Sequence, residues 1–310
     1  MRNNSITRLL VWVLPWLAGG AAQAGTLLFE ENFNGPLDRE VWNISDGGIA
    51  TYADYKDTYW QPGHATVKNG ELTLRMDRFN DSGGSCQAGG CVDSDGHRKR
   101  FASAQIATWA SFGANTRIDV RMRSPSGSGL VTGLFRTPGD SGDEMDYEFL
   151  GWTPNVVQSN YFRDGAGGHE VWHKAEEGGL PADFDFTQYH TYSLEATQNR
   201  LRWYIDDVLK REQDLAGSPF DQGHVMLELW TPTLEAMAQD PGWKAWAGDA
   251  FSGDSASVTV DRVAVRRLDS TSVSPVPLPP AVWLFGAGLA VLMVGGRVLP
   301  RRAPSSAAAT

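Results

Sequence analysis

Between Leu27 and Leu268 apolar and polar residues alternate in short runs, with turn-forming clusters between them. Glu71-Leu72-Thr73-Leu74-Arg75-Met76, Arg117-Ile118-Asp119-Val120-Arg121-Met122, Leu201-Arg202-Trp203-Tyr204-Ile205 and Ser257-Val258-Thr259-Val260-Asp261-Arg262-Val263 each carry this period of two. Such a period sends successive side chains to opposite faces, the signature of a strand with one buried face. Asp206-Asp207, between the third run and Val208-Leu209-Lys210, is placed as a hairpin turn. Gly83 to Gly96 reads as a loop rich in Gly, Ser and Asp. No interior stretch sustains a helical period, and neither a repeat nor an internal boundary is visible. The prediction is an all-β fold, one β-sandwich, for which about 240 residues is an acceptable size.

One run differs from the rest. In Glu144-Met145-Asp146-Tyr147-Glu148-Phe149 the polar positions are all acids. On a strand Glu144, Asp146 and Glu148 share one face, while Met145, Tyr147 and Phe149 enter the core. Like charges side by side on one face repel, so stability does not explain them. Retaining glycoside hydrolysis uses two carboxyl groups about 5–5.5 Å apart, one as nucleophile and one as acid/base. Cα atoms four residues apart on a strand are about 13 Å apart. Glu144 and Glu148 must therefore lean toward one another above Asp146, which can hydrogen-bond one of them and couple their titrations. These six residues alone fit a solvated acidic face on an edge strand equally well.

Composition narrows the partners. The chain has 12 tryptophans, and aromatics make up 11% of its residues, enough for both a core and sugar-stacking surfaces. The formal charge of −10 becomes −15 once Arg2 and Arg8 at one end and Arg297, Arg301 and Arg302 at the other are set aside. An acidic surface of that size excludes nucleic acid and anionic lipid as expected partners and fits a neutral substrate. Cys86 and Cys91, in Cys-Gln-Ala-Gly-Gly-Cys, are expected to close a small disulfide in an exported protein. No Cys/His metal spacing is present.

Both ends read as targeting segments. Arg2 and Arg8, the apolar run Leu9 to Leu17 and Ala22-Gln23-Ala24 predict a secretory signal over residues 1–24. A β-sandwich domain is then expected over 25–269 and a Ser/Pro linker over 270–280. A transmembrane or sorting segment with a basic end follows over 281–302, and then a tail over 303–310. Val-Pro-Leu-Pro-Pro-Ala-Val-Trp-Leu-Phe-Gly followed by arginines resembles the PEP-CTERM signals that exosortases process, with Pro-Leu-Pro in place of Pro-Glu-Pro. A plain tail anchor is the alternative. The expected location is the cell envelope or outside the cell.

Several segments together carry a further resemblance. Asp143 to Gly151 and Gln158-Ser-Asn160-Tyr-Phe162-Arg-Asp-Gly-Ala-Gly-Gly-His169-Glu170 resemble glycoside hydrolase family 16. So do Gln188-Tyr-His190-Thr-Tyr192, Arg202 to Asp206 and Met226-Leu-Glu228-Leu-Trp230. The likeness is to the branch with an unbulged Glu-x-Asp-x-Glu strand, which includes lichenases and xyloglucan transglycosylases, and it runs from about Phe29 to Arg267. It implies a concanavalin-like jelly-roll sandwich with a concave cleft and a polysaccharide substrate. Glu144 would be the nucleophile, Asp146 its supporting acid and Glu148 the acid/base. Trp230 and Trp246 would be stacking platforms and Phe135 a cleft aromatic, with Asn160, Phe162 and Glu170 touching sugar near the cleavage point. The resemblance implies no catalytic cofactor, but a structural calcium at Asp261, Gly70 and Asn32.

The chain also departs from the lichenase pattern. Gln105-Ile106-Ala107 replaces a segment with a sugar-contacting arginine; Thr137 stands for a tyrosine, Gly142 for a tryptophan and Glu228 for an asparagine. The expected function is a retaining endo-β-glycanase, acting as a monomer on a β-glucan or related exopolysaccharide. A transglycosylase and a noncatalytic carbohydrate-binding envelope protein are the alternatives.

Overall fold

The computed structural model describes residues 25–47, 55–79, 91–92, 96–138, 142–166, 168–175 and 179–268. The expected signal, linker, C-terminal segment and tail lie outside them. No helix among the described residues is long and apolar enough to cross a membrane.

Two large sheets face each other. The first runs Val208–Asp214, Arg200–Ile205, His190–Ala196, Thr116–Arg123, Ser255–Arg267, Glu71–Arg78, Phe101–Ser103, Thr58–Trp60, with Thr26–Glu31 and Ala65–Lys68 attached at its sides. The second runs Val171–His173, Val157–Phe162, Glu144–Leu150, Val131–Pro138, Gly223–Trp230, Gln105–Thr108, Trp42–Ile44. The four runs that the alternation picked out are strands, each longer than its clearest repeat. Asp206 and Asp207 have φ of +49° and +62°, the paired positive φ of a two-residue hairpin turn. Asp207 also accepts a 2.5 Å hydrogen bond from the buried Arg117, which ties the turn to the sheet.

The core lies between the sheets. Leu72, Leu74, Ile118, Val120, Leu194, Val258 and Val260 from one side meet Met145, Tyr147, Phe149, Leu134, Leu227 and Ile106 from the other, all fully buried. Burying Met145, Tyr147 and Phe149 contributes about 1.5–3 kcal/mol each. Phe149 meets Tyr192 edge-on at 4.6 Å between ring centroids. Tyr147 Oη donates to the Tyr204 carbonyl at 3.1 Å, and Trp203 Nε1 donates to the Asp146 carbonyl at 2.9 Å. The acidic strand is thus hydrogen-bonded to the opposite sheet through its buried face.

Two features were not foreseen. Leu234–Gln239 and Pro241–Ala247 are helices, too short for a 3.6-residue period to register. Thr233 caps the first by accepting from Ala236 N; Asp240 caps the second by accepting from Gly242 N, with Pro241 in its first turn. Cys91–Val92, inside the expected loop, pairs with Arg98–Lys99 just beyond it as a short two-stranded piece. Cys91 is buried and disulfide-bonded, and Cys86 lies outside the described residues.

Trp203 is expected to hold the acidic strand in place. Trp203→Phe removes the donor to the Asp146 carbonyl and leaves space, so urea unfolding should show a loss of about 1–3 kcal/mol. Unchanged stability would contradict this anchoring.

Candidate active site

The period of two leaves Glu144, Asp146 and Glu148 on the face of the second sheet turned away from the core. Neighbouring strands set what surrounds them. Phe162, Asn160 and Gln158 stand opposite the three acids on one side. On the other side Gly133 is opposite Glu148, and Phe135 is opposite Asp146. The row through Glu148 continues from Gly133 to Glu228 and then Gln105. A Cβ on Gly133 would fall 2.0 Å from the Phe135 ring, so the missing side chain is what lets that ring lie between Glu148 and Glu228.

Burial raises all three acids, and neighbouring carboxylates add to it. Burial, then the Glu228 carboxylate, pushes Glu144 up to about 7, against the pull of Lys56. Burial, then the Glu144 charge, pushes Glu148 up to about 8, with Glu228 and Glu170 adding and Lys56 opposing. Asp146 is held well above the carboxylate range by burial and by both glutamates, with Arg211 opposing. Its Oδ1 is buried without a hydrogen-bond partner, so it does not bond a neighbouring glutamate as the sequence suggested. A protonated Asp146 is the form that such a site tolerates. Three adjacent carboxyls therefore hold fewer than three negative charges at neutral pH.

Beside the acids opens a cleft of 310 Å³ lined by Glu148, Gln158, Asn160, Glu170, Trp230, Trp246, Tyr55, Trp243, Asp240 and Gly242. Asn160 Oδ1 accepts from the backbone N–H groups of Tyr161 (2.9 Å) and His169 (2.6 Å), which fixes its amide. Asn160, Glu170 and Phe162 gather round Gly168, where a Cβ would meet each of them at 3.4–3.5 Å. Trp246 Nε1 donates to Gln158 Oε1 at 3.1 Å.

Several expectations are corrected here. Trp230 is only 3% exposed and is not an open stacking platform. Lys56 Nζ lies 4.8 Å from its ring centroid, and Tyr55, Trp243 and Trp246 pack around it at 5.5, 6.3 and 5.8 Å. The more exposed rings are those of Trp243 and Trp246, both on the short helix Pro241–Ala247. Phe135, expected as a cleft aromatic, is 6% exposed and is not among the residues that line this cleft. Sequence reasoning did not identify Tyr55, Lys56, Gln158, Trp243 or Asp240. Two of them, Tyr55 and Trp243, are an aromatic pair stacked at 5.0 Å, and abundant tryptophan was the one available signal. Gly142 has φ +80°, and a Cβ there would fall 2.5 Å from Gly165 N, so no larger side chain fits.

Strand register brings the calcium residues toward one stretch of the first sheet: Asn32 follows Glu31, which pairs with Val263, and Gly70 precedes Leu72, which pairs with Val260. Asn32 is exposed, and Asp261 is ion-paired with Arg121. Among the described residues no three His, Cys, Asp or Glu side chains gather as a metal cluster. The donor set at Asp261 is therefore already neutralised by a guanidinium, which a cation would have to displace.

The family model for "Glycosyl hydrolases family 16" matches residues 52–261, which contain the acidic strand and every residue that lines the cleft. The chain belongs to glycosyl hydrolase family 16. A β-glucanase of Bacillus subtilis (strain 168) is 36% identical over 233 residues, covering 74% of this chain and 84% of that protein. The β-glucanase of Acetivibrio thermocellus (strain ATCC 27405) is 29% identical over 242 residues, covering 74% of this chain and 64% of the relative. The matched part is thus less than two thirds of that relative's length. "Endo-1,3-1,4-beta-glycanase ExoK" of Rhizobium meliloti (strain 1021) is 26% identical over 242 residues, covering 76% and 77%. A lichenase structure from a mouse hindgut metagenome superposes with a TM-score of 0.62 at 24% identity, covering 78% of this chain and all of that one. The endo-β-1,3-glucanase of Pyrococcus furiosus gives 0.62 at 20% identity, covering 79% and 95%. These structures share the fold, so the two sheets are a family 16 jelly-roll sandwich.

For this family 16 domain the raised Glu148 carries a stability cost with a definite sign. Its neutral form is favoured in the folded state, so that contribution is present below about pH 4.5 and lost as pH rises through about 8. Glu148→Gln should therefore stabilise the domain at pH 8, by about 1–3 kcal/mol, and leave it near wild type at pH 4.5. Urea unfolding at the two pH values reads this; an equal effect at both would contradict it.

Proposed function

We propose that this family 16 domain hydrolyses internal β-glycosidic bonds of a β-glucan or related polysaccharide, with retention of configuration. The observation that carries the reading is the placement of Glu144 and Glu148 on one face of the same strand, either side of Asp146 and with the cleft beside Glu148, both held above the usual carboxylate range by burial. A carboxyl kept neutral by burial can protonate the leaving oxygen while an ionised partner attacks, and position in the family strand gives the first role to Glu148 and the second to Glu144. Glu148 gives its proton to the glycosidic oxygen as Glu144 attacks the anomeric carbon, forming a glycosyl-enzyme. Glu148, now a carboxylate, takes a proton from water, whose oxygen attacks the anomeric carbon and releases Glu144. Asp146, neutral between them, limits the negative charge that the two must share.

Relatives named as β-glucanases and the open, aromatic-walled cleft support a β-glucan as substrate and internal cleavage. Gln105, Thr137, Gly142 and Glu228 argue against strict mixed-linkage specificity. We also propose export through residues 1–24 and envelope retention or exosortase-type processing through residues 281–302, on the residue patterns given above. Residues 25–269 are proposed to act as a monomer.

Glu144→Gln and Glu148→Gln should each lower kcat/KM at least about 10³-fold on a responsive glucan, with the circular dichroism of the wild type. Lichenan, laminarin, xyloglucan and the producer's exopolysaccharide form the substrate panel. Wild-type turnover in either variant contradicts the assignment, and labelled-acceptor incorporation in place of reducing ends would mark a transglycosylase.

Calcium at Asp261 and Gly70 is proposed as a competitor of Arg121. Millimolar CaCl2 should then raise Tm relative to EGTA, and more so in Arg121→Ala. No calcium effect in either protein counts against the site.

A further inference from the structure

One cluster on the cleft face has no part in the steps above. Glu228 is fully buried, yet its carboxylate stands in the same cross-strand row as Glu148, with only Gly133 between them. A buried carboxylate is costly unless both oxygens are engaged. Here they are. Lys56 Nζ lies 2.6 Å from Oε1, and Gln105 Nε2 donates to Oε2 at 2.6 Å. Gln105 is fixed in turn by Ser45 Oγ, which donates to its Oε1 at 2.6 Å. Lys56 is 4.8 Å from the Trp230 ring centroid and 5.8 Å from that of Trp60, so its ammonium is held by aromatic faces as well.

The row brings this pair close to the proposed reacting acids. Adjacent strands are about 4.8 Å apart, so Glu228 and Glu148 are roughly 10 Å apart at the backbone. The intervening position has no side chain, and the Phe135 ring fills the space with low-dielectric material. Charges at such spacing across an apolar ring act on one another strongly.

We propose that Lys56 and Glu228 are positioning residues for the catalytic acids, a balanced charge pair that sets the pH window in which Glu144 is ionised while Glu148 keeps its proton. The inference rests on the hydrolase reading above. Lys56 pulls both glutamates down and Glu228 pushes both up, so each partner alone would displace the window in one direction. The other charges around the acids stay in place: Asp146 between them, Arg211 toward Asp146, and Glu170 and Asp240 on the cleft wall. Around Lys56, Lys99 Nζ donates to the Lys56 carbonyl at 2.8 Å, and Asp57 is ion-paired with Arg100.

The test is the kcat/KM–pH profile of Lys56→Met, Glu228→Gln and the double variant. Lys56→Met should move both limbs to higher pH, and Glu228→Gln should move both to lower pH, each by on the order of one pH unit. The double variant should return close to the wild-type limbs. A pair that only supports the fold would lower activity without opposed shifts. Limbs that stay in place, or that move the same way in both single variants, overturn the proposal. Lys56→Arg, which keeps the charge, should hold the wild-type limbs and guards against a misfolded Lys56→Met. Carboxyl ¹³C titration of Glu144 and Glu148 in the same variants reads the same displacements without substrate. Opposed shifts in a protein that cleaves no glycan would retain the pair and remove the hydrolase reading. Unmoved carboxyls in an active enzyme would do the reverse.

Discussion

Everything at the cleft depends on one constraint: the buried face of Glu144–Leu150 is fixed in register against the opposite sheet. Met145, Tyr147 and Phe149 are fully buried, and two hydrogen bonds from beneath tie the strand down, Trp203 Nε1 to the Asp146 carbonyl and Tyr147 Oη to the Tyr204 carbonyl. A slip of one residue would drive three carboxyl groups into the apolar core and turn three large apolar side chains out of it, a change far too costly to be populated. The core therefore forces the acids together on the cleft side, and burial energy offsets their repulsion. Burial on that face is the first cause of the raised proton affinities of Glu144 and Glu148, with Glu228 adding to the first and Glu144 to the second.

The acidic face was legible in the sequence because a strand's period of two is local and needs no partner to be read. The same holds for Asp206-Asp207, whose turn geometry is set by its own backbone, and for the runs at Glu71, Arg117 and Ser257. The cover on Trp230 was not legible. It comes from Lys56, 172 positions before the Glu228 that holds it, through contacts that only the folded sheets create. The helix that carries Trp243 and Trp246 is seven residues long, and a period of 3.6 cannot register in so short a span. The family resemblance marked Glu228, Gln105 and Gly142 as departures but said nothing of why they co-occur. The structure joins the first two in one hydrogen-bonded row and gives the third a steric reason.

These departures have a common physical theme. The acids and their support are kept, while the far end of the row exchanges neutral recognition groups for a buried ion pair and a covered tryptophan. In the cleft that Glu148 lines, Trp230 is covered and the more exposed rings are those of Trp243 and Trp246. On the proposed reading, the reaction rests on the acidic strand, and the choice of glycan on the short helices and the row ending at Gln105.

The central claim is that Glu144 forms the bond to sugar while Glu148 moves protons. Incubation with an activated 2-deoxy-2-fluoro β-glucan oligosaccharide, followed by peptide mapping by mass spectrometry, reads that bond directly. One glycosyl adduct is expected on the peptide containing Glu144–Leu150, localised to Glu144 and lost in Glu144→Gln. An adduct on Glu148, or on a carboxylate outside this strand, would contradict it.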